Sequence, residues 1–223
     1  MKGLLPLAIA ITVVSFIYVE LSLNFTFHWA TSGDLGNGLS LPASFHFAIP
    51  AAFVSWGLFF LLGGDGAAAR GVAIASFFGC LTALLMMVFV AATAGLPDFW
   101  AISLGVAVAG GVLVVLGGLG AWYVIPATFP AFACCVFWWI ATGLDGWAEK
   151  GGGVGNSVQA LAKPATAGAG AFGGVISTPY GWVAFNVFVT LLVGCLLGLV
   201  SSRLASVLTP KPATTPASDS PAR

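Results

Sequence analysis

A chain of 223 residues that is 59% hydrophobic and 6% charged, with a formal net charge of zero and a mean hydropathy of +1.05, is far from the composition of a soluble globular domain, where about 25% of residues are charged. It reads as an integral membrane protein, with room for six or seven spanning helices of about 20 residues and no separate soluble domain. No basic run is present, so nothing recommends nucleic acid or an acidic surface as a partner, and the bilayer is the partner the composition names.

Apolar runs predict spanning helices at 4–24, 40–62, 71–93, 99–118, 121–142 and 182–202. The expected fold is all-α: a polytopic membrane helix bundle of about six transmembrane helices, forming one domain over 1–208 with halves at 1–95 and 96–208. In the first run, Lys2 before an apolar stretch resembles a secretory signal, but no small-x-small cleavage pattern precedes Glu20, so this segment is expected to stay as a helix. Glu20 near its outer end and His46 in the second run are the ionisable residues placed within the membrane. Paired, they would make a proton-sensitive outer mouth. The alternative is that Glu20 snorkels to the headgroups while His46 donates to a backbone carbonyl.

The second and fifth runs share a motif. Ile49-Pro50-Ala51-Ala52-Phe53 and Ile125-Pro126-Ala127-Thr128-Phe129 lie 76 residues apart, and each leads through an aromatic segment to an Asp-Gly pair, at Asp65-Gly66 and Asp145-Gly146. Three helices followed by three more, with this element on the middle helix of each set, gives halves of opposite orientation, a 3+3 inverted repeat of the kind found in transporters. The alternative is a chance match in a composition rich in these residues. Proline inside a membrane helix frees a carbonyl that lipid cannot satisfy, so Pro50, Pro126 and Pro130 are expected to face the bundle interior, with Ser44, Ser55 and Thr128 in reach. Such a kink either contacts solute or is patched by a hydroxyl.

Small residues at four-residue spacing mark close helix contacts: Ala75, Gly79 and Ala83 on the third helix, Ala107 and Gly111 on the fourth, Gly194 and Gly198 on the sixth. They serve packing within the chain, or a homo-oligomer face on helix 182–202 through Gly194 and Gly198. Asn186 and Thr190 share a face of that helix, suited to interhelical hydrogen bonds. Cys80, Cys134, Cys135 and Cys195 all fall inside predicted spans and read as small buried residues; adjacent Cys134 and Cys135 project about 100° apart and do not chelate one ion together. No metal or cofactor is expected. No GxSxG, HExxH, paired carboxylate or Cys/His arrangement with an orienting third group is present, so no enzyme activity is expected.

The Gly/Ala-rich stretch 144–181 is far longer than an ordinary connection. It reads as an outer loop, the alternative being a re-entrant segment. Residues 209–223, rich in proline and polar residues, read as a disordered cytoplasmic tail. Orientation follows the positive-inside rule: Lys2, Arg70, Arg203, Lys211 and Arg223 on the cytoplasmic side, against Lys150 and Lys163 in the long outer loop, put both termini inside. Trp29, Trp100, Trp138, Trp139 and Trp182 then fall at outer helix ends and Trp122 at an inner one, as an aromatic belt would, with Trp56 deeper.

Ser55-Trp56-Gly57-Leu58-Phe59-Phe60 with the Gly63-Gly64 turn, and Ile125-Pro126-Ala127-Thr128-Phe129 with its Cys-containing continuation, resemble the YcdZ-like bacterial inner-membrane proteins, a domain family of unknown function, over about residues 40–202. The resemblance implies an inner-membrane location and a compact bundle, and supplies no functional residues. The long Gly-rich loop departs from it. Kinked, hydroxyl-bearing helices and almost no buried charge lead to the expectation of a channel or facilitator for a small neutral or weakly polar solute such as urea, ammonia or an amide. The alternative is a non-transporting membrane subunit or scaffold. Coupled transport ranks third and requires Glu20 and His46 to be paired. A polar-lined passage between Pro50 and Pro126 would favour the channel, and side chains filling that space would favour the scaffold.

Overall fold

The computed structural model describes residues 4–25, 45–142, 144–145 and 179–209. Ser44, Trp29, most of the Gly-rich stretch 144–181 and the tail beyond 209 lie outside the described residues. All regular structure among the described residues is helical: α1 (Leu5–Asn24), α2 (Ile49–Leu61), α3 (Gly66–Ala92), α4 (Trp100–Val115, extended by a 3-10 turn over Leu116–Leu119), α5 (Ile125–Ala141) and α6 (Tyr180–Leu208). The six fall where the apolar runs predict them. Four are long and apolar enough to cross a membrane: α1, α3, α4 with its 3-10 turn, and α6.

The proline-bearing helices are the short ones. At 13 residues α2 is about 20 Å long, and at 17 residues α5 is about 25 Å, against a hydrocarbon core of about 30 Å. The helical parts of the expected spans 40–62 and 121–142 are therefore shorter than those spans, and residues 40–44 lie outside the described residues. Pro50 and Pro126 sit in the first turn of their helices, where a missing N–H costs nothing and the ring opposes extension toward the N-terminus. They begin helices; they do not kink them. Of the three prolines only Pro130 is interior to a helix.

Packing is layered. The two longest helices, α3 and α6, lie against each other at the centre, α2 packs on α6, and α5 packs on α3. α1 covers the other side of α6 and α4 the other side of α3. Each of these outer helices buries one four-residue stripe: Ala10, Val14, Tyr18 and Ser22 on α1, and Ala101, Gly105, Ala109 and Leu113 on α4. Their remaining faces expose residues such as Phe16, Ile17, Val108 and Val115. Apolar exposure on this scale is untenable in water and ordinary against lipid. This is a membrane protein.

Two local devices fix the α2–α3 corner. Gly63 and Gly64 take φ of 116° and 72°, which a β-carbon opposes, and the Gly64 amide donates back to the Phe59 carbonyl (2.9 Å), closing a Schellman-type end. The Asp65 side chain then accepts from the Ala68 amide (2.8 Å) and caps α3. At the end of α5, Leu144 (φ 56°) donates its amide to the Trp139 carbonyl (2.9 Å), an i to i−5 closure of the same kind.

Candidate functional site

The residues 45–48 that lead into α2 are not helical, yet His46 and Ala48 are buried. Irregular backbone in a membrane bundle must find its hydrogen bonds in protein. The Ala48 amide finds one in Thr190 of α6, donating to Oγ1 (3.1 Å), and the same hydroxyl donates to the Asn186 carbonyl (2.7 Å). His46 meets the far end of α5: the Trp138 indole N–H donates to His46 Nε2 (3.1 Å), with the rings 5.6 Å apart. An accepting Nε2 puts the ring proton on Nδ1 and makes the imidazole neutral. One turn further, Thr142 donates to the Trp138 carbonyl (2.9 Å), and the Trp139 indole donates to the Asp145 carbonyl (3.0 Å). The entry to α2, the end of α5 and the first half of α6 thus enclose a buried polar cluster of His46, Trp138, Thr142, Asn186 and Thr190.

The expected Glu20–His46 pair is not formed. Glu20 is exposed and accepts from Asn24 of its own helix (3.0 Å), while His46 turns inward to Trp138. The proline-and-hydroxyl group comes together only in part, Pro50 and Pro130 sharing one cleft. Pro50 and Pro126 are exposed on the bundle surface. Ser55 and Thr128 are buried, but each hydroxyl folds back on its own helix, Ser55 to the Ala52 carbonyl (3.1 Å) and Thr128 to the Val124 carbonyl (3.0 Å). Beside them lies a cleft of about 310 Å³ between α2 and α5, with apolar walls formed by Ala48, Pro50, Val54, Pro130, Cys134 and Trp138.

Below the polar cluster the bundle is closed by backbone contact. A β-carbon on Gly79 would come within 2.6 Å of Ala131 Cβ and 2.7 Å of the Thr128 carbonyl oxygen; one on Gly194 would strike Ser55 Oγ and the Ala52 carbonyl, and one on Gly198 the Phe59 ring. Gly194 and Gly198 are therefore occupied inside the chain by α2, which corrects their reading as an intersubunit face.

Of the tryptophans, Trp138 and Trp139 fall in the last turn of α5 as expected but are buried within the bundle, while Trp100 and Trp122 are exposed. Adjacent indoles on a helix project about 100° apart, a signal in the sequence that both could not face the interface. Trp56 is deep, as its position suggests, and donates to Ser201 of α6 (3.0 Å). Among the described residues no group of three or more His, Cys, Asp and Glu side chains could hold a metal ion. No family model, curated protein or solved structure matches this chain.

Proposed function

We propose that the chain is a non-transporting membrane subunit built from two inverted halves, α1–α3 and α4–α6. The observation that carries the first part is the closed middle of the bundle. Where α2 crosses α6 and α5 crosses α3, glycine backbones meet the opposing helix directly, and the Ser55 and Thr128 hydroxyls are turned onto their own carbonyls. A bundle packed in this way keeps the Ser55 and Thr128 hydroxyl protons engaged and not free for a small solute.

The two-halves reading draws support from register. A shift of 76 carries Ala52 and Ser55, which meet Gly194, onto Thr128 and Ala131, which meet Gly79. A shift of 115 carries Gly79-Cys80-Leu81 of α3 onto Gly194-Cys195-Leu196 of α6, and a shift of 91 carries the buried stripe of α1 onto that of α4 together with Leu5-Pro6 onto Leu96-Pro97. The exchange of halves also preserves which helices touch: α2 on α6 becomes α5 on α3, and α1 on α6 becomes α4 on α3. Phe59 against Gly198 sets the α2–α3 corner beside the end of α6, so Arg70 and Arg203 share one end of the bundle, in keeping with a cytoplasmic face there and with both termini inside a bacterial inner membrane. The relation to YcdZ-like proteins belongs to the same proposal and rests on the Ser55–Phe60 and Ile125–Phe129 motifs.

The second reading, a facilitator for a small neutral solute, is favoured by one observation: the buried polar cluster around His46, placed at one end of the bundle. Stopped-flow light scattering on proteoliposomes separates the two. With urea, formamide, ammonia and water, flux is expected to equal that of empty vesicles. Flux of any one solute that is lost in Ser55→Leu or Thr128→Leu would overturn the sealed-subunit reading and establish the facilitator.

A further inference from the structure

Two grooves run along the outside of the bundle. One lies between α1 and α6, with a volume of about 500 Å³, and its walls include Val14, Ile17, Tyr18, Leu21, Leu197 and Val200. The other lies between α3 and α4, about 280 Å³, with Thr82, Leu85, Gly105, Val108, Ala109 and Val112. Six lining positions of each groove correspond, while Ser22, Phe25, Phe47 and Val193 of the first and Met86, Phe89 and Leu104 of the second have no counterpart in the other. The shift of 91 carries Val14, Ile17, Tyr18 and Leu21 onto Gly105, Val108, Ala109 and Val112, and the shift of 115 carries Thr82 and Leu85 onto Leu197 and Val200. An accidental dent in a helix surface has no reason to recur with both walls in register.

Surroundings select the occupant: both grooves open on the exposed apolar faces of α1 and α4, where hydrocarbon is the solvent. A methylene takes about the volume of one water, roughly 30 Å³, which gives the grooves room for about nine and about sixteen methylenes. The lining is overwhelmingly hydrocarbon and carries no charged side chain to hold a headgroup, and the Tyr18 hydroxyl is already engaged by the Ile49 carbonyl (3.3 Å). We propose that the two grooves are a matched pair of acyl-chain sites, each seating one hydrocarbon tail of a bilayer lipid. The pairing rests on the two-halves reading.

The test uses the full-length protein in phosphatidylcholine vesicles whose lipid bears a photoactivatable diazirine on its acyl chain, with sites of attachment mapped by peptide mass spectrometry. Label is expected to concentrate several-fold in both grooves over Phe16 and Val115, which are 71% and 79% exposed but lie outside them. Val108→Trp is expected to clear the α3–α4 groove alone, and Ile17→Trp the α1–α6 groove alone. Both positions are on exposed walls, at 57% and 49%, so the substitutions leave the helix contacts intact. Label spread evenly over the lipid-facing surface and indifferent to these substitutions overturns the proposal, and label in one groove only overturns the matched pair. Exclusion of label from both grooves, with chain-to-chain cross-links there, overturns it in favour of a protein occupant. None of these outcomes depends on whether the vesicles pass solute, so failure here is distinct from failure of the sealed-subunit reading.

Discussion

The Thr190 hydroxyl accepts from the Ala48 amide and donates to the Asn186 carbonyl, so removing it strands a backbone donor where neither water nor lipid can replace the bond. Thr190→Val, nearly the same shape, is expected to cost about 1–3 kcal/mol. Thr12→Val is the control: its hydroxyl is exposed and bonds the Ala8 carbonyl of its own helix, so its loss should be close to neutral. Thermal unfolding of the purified protein in detergent reads the difference, and equal shifts for the two variants would remove Thr190 from the role given it. At this scale the sequence was partly legible. Thr190 makes a bond to another element as its face suggested, though to the non-helical entry of α2, and the deep position of Trp56 was readable. The partner of His46 was not, because Glu20 and Trp138 are both plausible neighbours in one dimension. Only packing decides that the indole on α5 reaches the imidazole while Glu20 stays with Asn24.

Helix pairs are set by where a side chain is missing. Gly79 lets α3 approach the α5 backbone, whereas a β-carbon on Gly57 would meet nothing within 4 Å. Gly79→Ala is therefore expected to destabilise by about 1–3 kcal/mol through overpacking, and Gly57→Ala to change little or to stabilise slightly. The measurement is the unfolding midpoint of each variant in the same detergent; a Gly79→Ala protein as stable as the parent would mean the α3–α5 contact yields easily. Apolar run length located all six helices, but it overestimated α2 and α5. Hydropathy cannot distinguish helical from extended apolar backbone, and the stretch before Pro50 is apolar in either form. The proline itself carried the missing information: placed in a first turn, it marks a start, whereas its reading as a mid-helix kink presupposed a helix already running through it.

For the whole molecule, the proposed inversion of the halves and the proposed cytoplasmic placement of Arg70 and Arg203 predict which surfaces face which compartment. In a chain whose native cysteines are replaced by alanine, Leu96→Cys between α3 and α4 should react with a membrane-impermeant maleimide added to intact cells, and Ser206→Cys near the end of α6 should react only after lysis. The reverse pattern would invert the topology, and reaction of both from one side would refute the inversion of halves. The composition made the membrane class legible at once, since nothing else accommodates so much exposed hydrocarbon. The proposed repeat is legible in the sequence only at its proline motif, because the other correspondences that support it fall at different shifts, 91 and 115 rather than 76, and the long stretch after α5 breaks the spacing.

The seating of α2 on α6 has a consequence for biosynthesis. At 13 residues α2 is too short to settle across a bilayer as an independent segment, and the amide at its entry and the serine on its face are matched by Thr190 and Gly194, residues translated more than a hundred positions later. Until the ribosome has delivered the last helix, the second has no complete place to rest. A chain cut short before α6 is therefore expected to leave the Ala48 amide and the Ala52–Ser55 face of α2 without the partners they have in the whole protein.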